Sequence, residues 1–193
     1  MFARPVDLNV ISIDPSMRST GITYCINGKI TTECLKRKDE RFKLIAWYIR
    51  YFATLAKSRK WDLMIIEGYS MMSNGRNHSY VIEIGAIIRA CFASYNVPIL
   101  EIAPQSWKSI SGLNDWEKTH DKKLKKLTVA DKALYQEACY DILGISCDTF
   151  DEMDSLYFLY SVIQASKGLC KKGTGSAIRS FLEDNKIILE NRG

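Results

Sequence analysis

Apolar positions along the chain fall into runs of two different periods. Residues 9–13 form a short apolar-centred run, 21–26 and 29–34 form two more β-prone runs, and Asn27-Gly28 sits between the last two. An Asn-Gly pair flanked by strand-like runs predicts a hairpin, because a type I′ turn needs positive φ at both central positions. From Phe42 the period changes to three and four. Phe42, Ile45, Ala46, Ile49, Phe52, Ala53 and Ala56 predict a helix with that row buried, and Leu44, Tyr48, Tyr51 and Leu55 make a second apolar row. So wide a stripe suits a deeply packed core helix, or one that covers a sheet and also meets a partner. Residues 63–66 predict a central strand ending at Glu67. After a polar loop over 70–79, Val81, Ile84, Gly85, Ile88, Cys91, Phe92 and Tyr95 predict a second helix, stopped by Pro98, and 99–102 predict another buried strand.

The predicted order is therefore β-β-β-α-β-α-β followed by helices, an α/β arrangement in which helices cross over one sheet between parallel strands. Residues 104–126 are polar and basic, with Trp107 and Trp116, and show no clear period. Residues 128–143 predict a helix ending near Gly144. A last helix over 150–164, capped by Asp148 or Thr149, is apolar almost all round and must be largely buried. The expected organisation is one domain over residues 1–166 and a C-terminal tail, 167–193, of unassigned role. That tail reads as a glycine-containing linker leading to a short amphipathic segment over 178–189.

Composition narrows the class. At 193 residues, with 47% hydrophobic and 25% charged residues, the chain has enough apolar side chains for one ordinary core and is not a disordered, collagen-like or disulfide-scaffold sequence. No apolar run is long enough to span a membrane and no signal-peptide core precedes the first strand, so a soluble, cytoplasmic protein is expected. Cys25, Cys34, Cys91, Cys139, Cys147 and Cys170 show no CxxC spacing, which predicts free, mostly buried thiols. The net charge of +5 is unevenly placed: residues 35–60 carry nine basic residues against Asp39 and Glu40, and residues 118–126 carry Lys118, Lys122, Lys123, Lys125 and Lys126 against Asp121. Such runs are either solvated helix faces or contacts for a polyanion.

Candidate chemistry lies at the ends of the apolar runs. Asp14 ends the first predicted strand and Glu67 ends the central one, and groups at the carboxyl ends of neighbouring strands converge on one crevice in open α/β sheets. Asp151 and Asp154, three apart at the start of the buried last helix, point to one side of it. Singly, each has a plainer reading: an Asx turn at Asp14-Pro15, a solvated strand end at Glu67, a capping box in Thr149-Phe150-Asp151-Glu152. Together, four oxygen ligands converging where carboxylates repel by roughly 4 kcal/mol per pair predict a hard divalent cation, Mg2+ or Mn2+. Two such ions about 3.5 to 4 Å apart suit in-line hydrolysis of a phosphodiester.

The segments ISIDPSMRSTGI (11–22), LMIIEGYS (63–70), IAPQSWKSI (102–110) and DEMDSL (151–156) resemble, in order and approximate spacing, the four signature blocks of RuvC-type Holliday junction resolvases, particularly the compact bacteriophage branch. The resemblance runs from about residue 9 to residue 165. It implies an RNase H-like fold, with the mixed five-stranded sheet flanked by helices. It also implies a homodimer, and cleavage of branched DNA with two Mg2+ ions, for which Mn2+ can substitute. Asp14, Glu67, Asp151 and Asp154 match the acidic tetrad, and Lys108 matches a basic position near the scissile phosphate. The loop after Glu67 is longer than the family pattern and offers Tyr69, Met71, Met72 and Arg76 for the branch point. Lys108, Lys118, Lys122, Lys123, Lys125 and Lys126 are the other DNA-binding candidates.

Three alternatives share parts of this reading. Asp14 with Ser16, Ser19, Thr20 and Gly21 also resembles the phosphate loop of actin-like ATPases, but those need two copies of the fold and the chain is too short. A non-catalytic junction-binding protein would keep the fold and leave the tetrad structural. A nuclease of the same fold acting on other branched or hybrid nucleic acids would use the same metal chemistry.

Overall fold

A computed structural model describes residues 8–16, 19–68, 78–103, 106–123, 128–169 and 173–189. The chain opens with three strands, β1 (Asn9–Asp14), β2 (Ser19–Ile26) and β3 (Lys29–Lys36), followed by helix α1 (Arg41–Lys57), strand β4 (Leu63–Glu67), helix α2 (His78–Ala93) and strand β5 (Ile99–Ile102). Two short helices, α3 (Trp107–Ile110) and α4 (Leu113–Thr119), precede α5 (Val129–Leu143), α6 (Phe150–Ser166) and α7 (Thr174–Asp184). The strands form one mixed sheet in the order β3-β2-β1-β4-β5. β1, β2 and β3 pair antiparallel, while β4 and β5 run parallel to β1. The hairpin between β2 and β3 turns on Asn27 and Gly28, at φ 48° and 72°, as the type I′ expectation requires.

Pleating divides the sheet into two faces, because successive side chains alternate. Ile11, Ile13, Ile22, Met64 and Ile66 face α1 and α2 and pack with Tyr48, Phe52, Ile84, Ile88 and Phe92. Val10, Cys25, Leu63, Ile65, Leu100 and Ile102 face the other way and pack with α6 through Leu156, Leu159 and Val162. Each such side chain contributes roughly 1.5–3 kcal/mol on burial, so the two-sided core drives strand stacking. α6 is the most buried helix, with every residue from Glu152 to Leu159 inside.

The row of α1 that packs against the sheet is Leu44, Tyr48, Phe52 and Ala56. The periodicity assigned burial to the row starting at Phe42; its Phe52 and Ala56 are buried, but Phe42 is 79% exposed and Ile49 46%, and the N-terminal half of the helix buries Leu44 and Tyr48 of the second row instead. Both rows carry apolar residues at helical spacing, and the pitch of a helix says nothing about which row meets the sheet. β2 also starts two residues before its predicted start and β3 runs two past its predicted end, which places Ser19 directly opposite Lys36. The 107–119 region, without a predicted element, forms α3 and α4, and Trp107 stacks on Tyr157 and meets Phe158 edge to face, both on α6. α7 packs against α6, burying Ile178, Leu182, Ile187 and Leu189 in the same cluster as the α6 face. Of the cysteines described, Cys25, Cys139 and Cys147 are buried and Cys34 and Cys91 half-buried, all as free thiols; Cys170 lies outside the described residues. No helix among the described residues is long and apolar enough to cross a membrane.

Candidate active site

Pleat parity decides where the strand-end acids point. Asp14 lies two and four residues after Ser12 and Val10, and Val10 is on the α6 face; Glu67 follows Leu63 and Ile65 on that same face. The parallel register pairs Ile13 with Ile66, so Asp14 and Glu67 come next on adjoining strands, with backbones about 4.8 Å apart. Asp14 is 9% exposed and Glu67 half-buried. Arg89 of α2 donates to the Glu67 carbonyl at 2.8 Å, and Gly68 N–H donates to Ile102 at 2.8 Å, which together hold the end of β4 against β5. Beneath Asp14, the loop to β2 is tied down by Tyr48, which donates to the Ser16 carbonyl at 3.1 Å and shares a 2.7 Å hydrogen bond with Thr20.

The N-terminus of α6 meets this end of the sheet because Gly21 lets it. Gly21 pairs with Asp14 across the β1–β2 ladder, and a Cβ added there would run into the carbonyl of Asp151. The first turn of α6 therefore lies against the residue directly opposite Asp14. Asp151 is half-buried and accepts a hydrogen bond from Ser19 of β2. One turn later, Ser155 shares a 2.8 Å hydrogen bond with Thr23, so α6 runs along β2 in register. Asp154, 6% exposed, accepts a 2.8 Å hydrogen bond from Tyr135 of α5. Burial first, and Asp154 second, push the Tyr135 phenol well above its ordinary range, so it remains a donor.

The capping alternative belongs to a different acid. Thr149 is the N-cap of α6, and Glu152 closes the capping box by accepting from the backbone N–H of Thr149 at 2.8 Å and of Asp148 at 3.0 Å. Asp151 takes no part in that box. Its charge still gains from the helix macrodipole, by ~0.3–1 kcal/mol, as any first-turn acid does.

The donor set of Asp14, Glu67, Asp151 and Asp154 is carboxylate oxygen throughout, the chemistry that suits a hard divalent ion and not a soft one. Accepting one hydrogen bond does not exhaust a carboxylate, which has two oxygens and about four lone-pair sites. Below Asp14 on the same face, the fully buried Ser12 hydroxyl has no partner among the described residues. Asp14 and Glu67 share one face and one end of the sheet, the start of α6 lies against that face with Asp151 held by Ser19, and Asp154 is held by Tyr135 of α5; all four being carboxylates fits such an ion in kind. Among the described residues, however, no three His, Cys, Asp or Glu side chains close on a single point as a metal cluster would.

The remaining expected contacts are scattered. Lys108 is half-buried on α3 with its ammonium 5.6 Å from the Trp107 ring centre, and forms no ion pair with a described residue. Lys118 pairs with Asp115 at 3.4 Å, and Lys122 pairs with Glu137 at 3.3 Å while lying over Trp116; both pairs are exposed and weak. Lys123 is exposed. Tyr69, Met71, Met72, Arg76, Lys125 and Lys126 lie outside the described residues.

No family model matches the chain, and no curated protein matches it in sequence. Among solved structures, T. thermophilus RuvC in complex with its Holliday junction substrate superposes with a TM-score of 0.61 at 12% identity, over 83% of this chain and 96% of that one. The fold is that of RuvC. A second Thermus thermophilus RuvC structure gives 0.59 at 11% identity over the same shares of the two chains. The RuvC likeness thus extends from the four sequence blocks to the backbone, and the expected RNase H-like, mixed five-stranded sheet flanked by helices is observed. Ser19 and Tyr135 are the side chains that sequence reasoning did not attach to the acids. Ser19 stands 132 residues from its carboxylate partner and Tyr135 19 residues from its own, and no local pattern marks either pairing.

Tyr135→Phe removes the buried donor to Asp154 with little change of shape. It is expected to cost about 1.5–3 kcal/mol, the range for hydrogen bonds to charged groups, measured by urea denaturation. An unchanged midpoint would show that the phenol does not hold Asp154.

Proposed function

We propose that this protein is a metal-dependent endonuclease that resolves Holliday junctions and related branched DNA by paired phosphodiester hydrolysis. What supports the reading is the RuvC-like fold together with Asp14 and Glu67 ending adjoining strands on the face against which the start of α6, carrying Asp151 and Asp154, packs. Divalent ions, Mg2+ or Mn2+, held there would supply positive charge to offset the negative charge developing on the phosphate oxygens and would lower the pKa of bound water. The chain's own residues set the geometry. Asp14 and Glu67 are anchored by the β1–β4 ladder and by Arg89, Asp151 is oriented by Ser19, and Asp154 by Tyr135. These neighbours fix where the carboxylates sit, and the repulsion of roughly 4 kcal/mol between carboxylates brought about 4 Å apart at an effective dielectric of about 20 is what a bound cation would offset. Lys108 is the candidate cation for the scissile phosphate, and the loop carrying Tyr69, Met71 and Arg76 the candidate contact for the branch point.

The test is incubation with Mg2+ and a panel of four-way, three-way, flap, duplex and RNA-DNA hybrid substrates. Symmetric nicks in the four-way junction, lost on chelation, are the expected result. Cleavage confined to hybrid or flap would redirect the substrate, and binding without cleavage under any divalent ion would make the tetrad structural.

Paired cuts in a two-fold branch call for two sites related by symmetry, so the active form is a homodimer. What supports this is apolar surface on the α1–α2 pair, where Phe42, Ile49 and Ile82 are exposed. Light scattering at micromolar concentration is expected to give twice the chain mass, and Phe42→Asp with Ile49→Asp to give the monomer. A monomer that cuts both strands without dimerising on DNA would overturn the proposal.

A further inference from the structure

The β3–α1 junction is basic and hollow. A cavity of about 580 Å3 is lined by Ser19, Lys36, Arg37, Lys38 and Asp39. It adjoins the acidic site through Ser19, which lines the cavity and whose hydroxyl donates to Asp151. Lys36 pairs with Ser19 across the β2–β3 ladder, so by pleat parity its side chain leaves the sheet on the α6 face, one strand away from Ser19. Arg37 points to the opposite face, where it lies 4.7 Å from the Trp47 ring centre and 2.7 Å from Asp39. Lys36 and Lys38 have no carboxylate within ion-pair distance among the described residues. At the start of α1 the cations are already paired, Arg41 with Glu83 at 3.0 Å and Lys43 with Glu40 at 3.5 Å, so the positive charge of this junction that has no carboxylate partner among the described residues is that of Lys36 and Lys38.

We propose that this cavity is a DNA-phosphate subsite in which Lys36 and Lys38 hold a backbone phosphate beside Asp151. The proposal rests on the nuclease reading for the identity of the polymer. The subsite positions the strand whose neighbouring bond lies over the acids, with Ser19 standing between the phosphate and the Asp151 carboxylate. Lys36 and Lys38 are binding residues here and touch no reacting atom.

The experiment compares the full chain with Lys36→Gln/Lys38→Gln, the charge-conserving Lys36→Arg/Lys38→Arg, and Lys29→Gln/Lys186→Gln, which removes equal charge from two exposed sites remote from the cavity. Binding to a four-way junction and to a plain duplex is measured in EDTA over a salt series, with folding checked by circular dichroism. The two lysines hold one phosphate, and each neutralised phosphate contributes about 0.9 to the slope of log K against log salt, so the glutamine pair at 36 and 38 is expected to lower the slope by about 0.9 and affinity on the order of tenfold. The arginine pair is expected to retain the parental slope, and the remote pair to stay within about twofold in affinity. Equal losses from both glutamine pairs, or an unchanged slope for the pair at 36 and 38, would overturn the subsite. If inorganic phosphate at matched ionic strength displaced DNA from the parent but not from the 36/38 variant, the cavity would be a free-phosphate site instead. A parent that binds duplex with this Lys-dependent slope but neither prefers nor cuts junctions keeps the subsite and fails the branched-DNA reading alone.

Discussion

Asp14→Asn, Glu67→Gln, Asp151→Asn and Asp154→Asn are each expected to lower cleavage about a thousandfold or more, equivalent to ~4 kcal/mol of lost transition-state stabilisation, while junction affinity is kept or improves. Each replacement preserves shape and removes one negative charge from the proposed phosphate-facing site, so binding would have nothing to lose by electrostatics. Glu152→Gln is the informative control. Glu152 accepts from two backbone N–H groups and from the Thr149 hydroxyl in the capping box of α6, so the amide is expected to cost about 0.5–2 kcal/mol of stability and leave cleavage within a few-fold. Stability and activity thus separate on residues one position apart. Cleavage, junction binding and melting temperature on the five single variants check both effects, and an active Asp154→Asn enzyme would sink the metal-site reading.

Gly21→Ala is expected to be the most damaging change that removes no charge and no hydrogen bond. The added methyl would strike the carbonyl of Asp151 and reach 2.8 Å from the Glu152 nitrogen, both backbone atoms of a buried helix that cannot rotate away. Either β2 or the first turn of α6 must move. The expected cost is ~3 kcal/mol, the upper end for overpacking, and cleavage falls with it because that turn carries Asp151. Gly68→Ala, beside Glu67, provides the comparison: its Cβ would sit 3.4 Å from the Ile102 carbonyl, an ordinary contact, so urea denaturation is expected to show a change of no more than about 1 kcal/mol. Equal midpoints for the two variants would mean that α6 is not seated on β2 as described.

Local chemistry made much of the scaffold legible. Asn27-Gly28 specified its own turn, the apolar runs ended where β1 and β4 end, and Thr149 and Gly144 marked helix boundaries through capping and positive φ. These signals act over a few residues of backbone and carry the same meaning wherever the segment docks. The two acids that end strands and the two that open α6 were legible for that reason, as was the burial of α6, apolar on nearly every side.

What lay beyond the sequence was every choice between segments. Two apolar rows of α1 were equally periodic, and the sheet buried a stripe that crosses both, Leu44 and Tyr48 from one and Phe52 and Ala56 from the other, leaving Phe42 in solvent. Strand order placed β1 between β2 and β4, and pleat parity then turned Asp14, Glu67, Ser19 and Lys36 toward α6 together; one residue of slip in any ladder would have reversed that strand's side chains. The segment after α6, read as a tail, covers part of the core with Ile178 and Leu182 because α6 has apolar surface on a side the sheet does not reach. Periodicity records that a residue prefers burial; only the packed structure decides against what, since that energy belongs to pairs of surfaces brought together from distant parts of the chain.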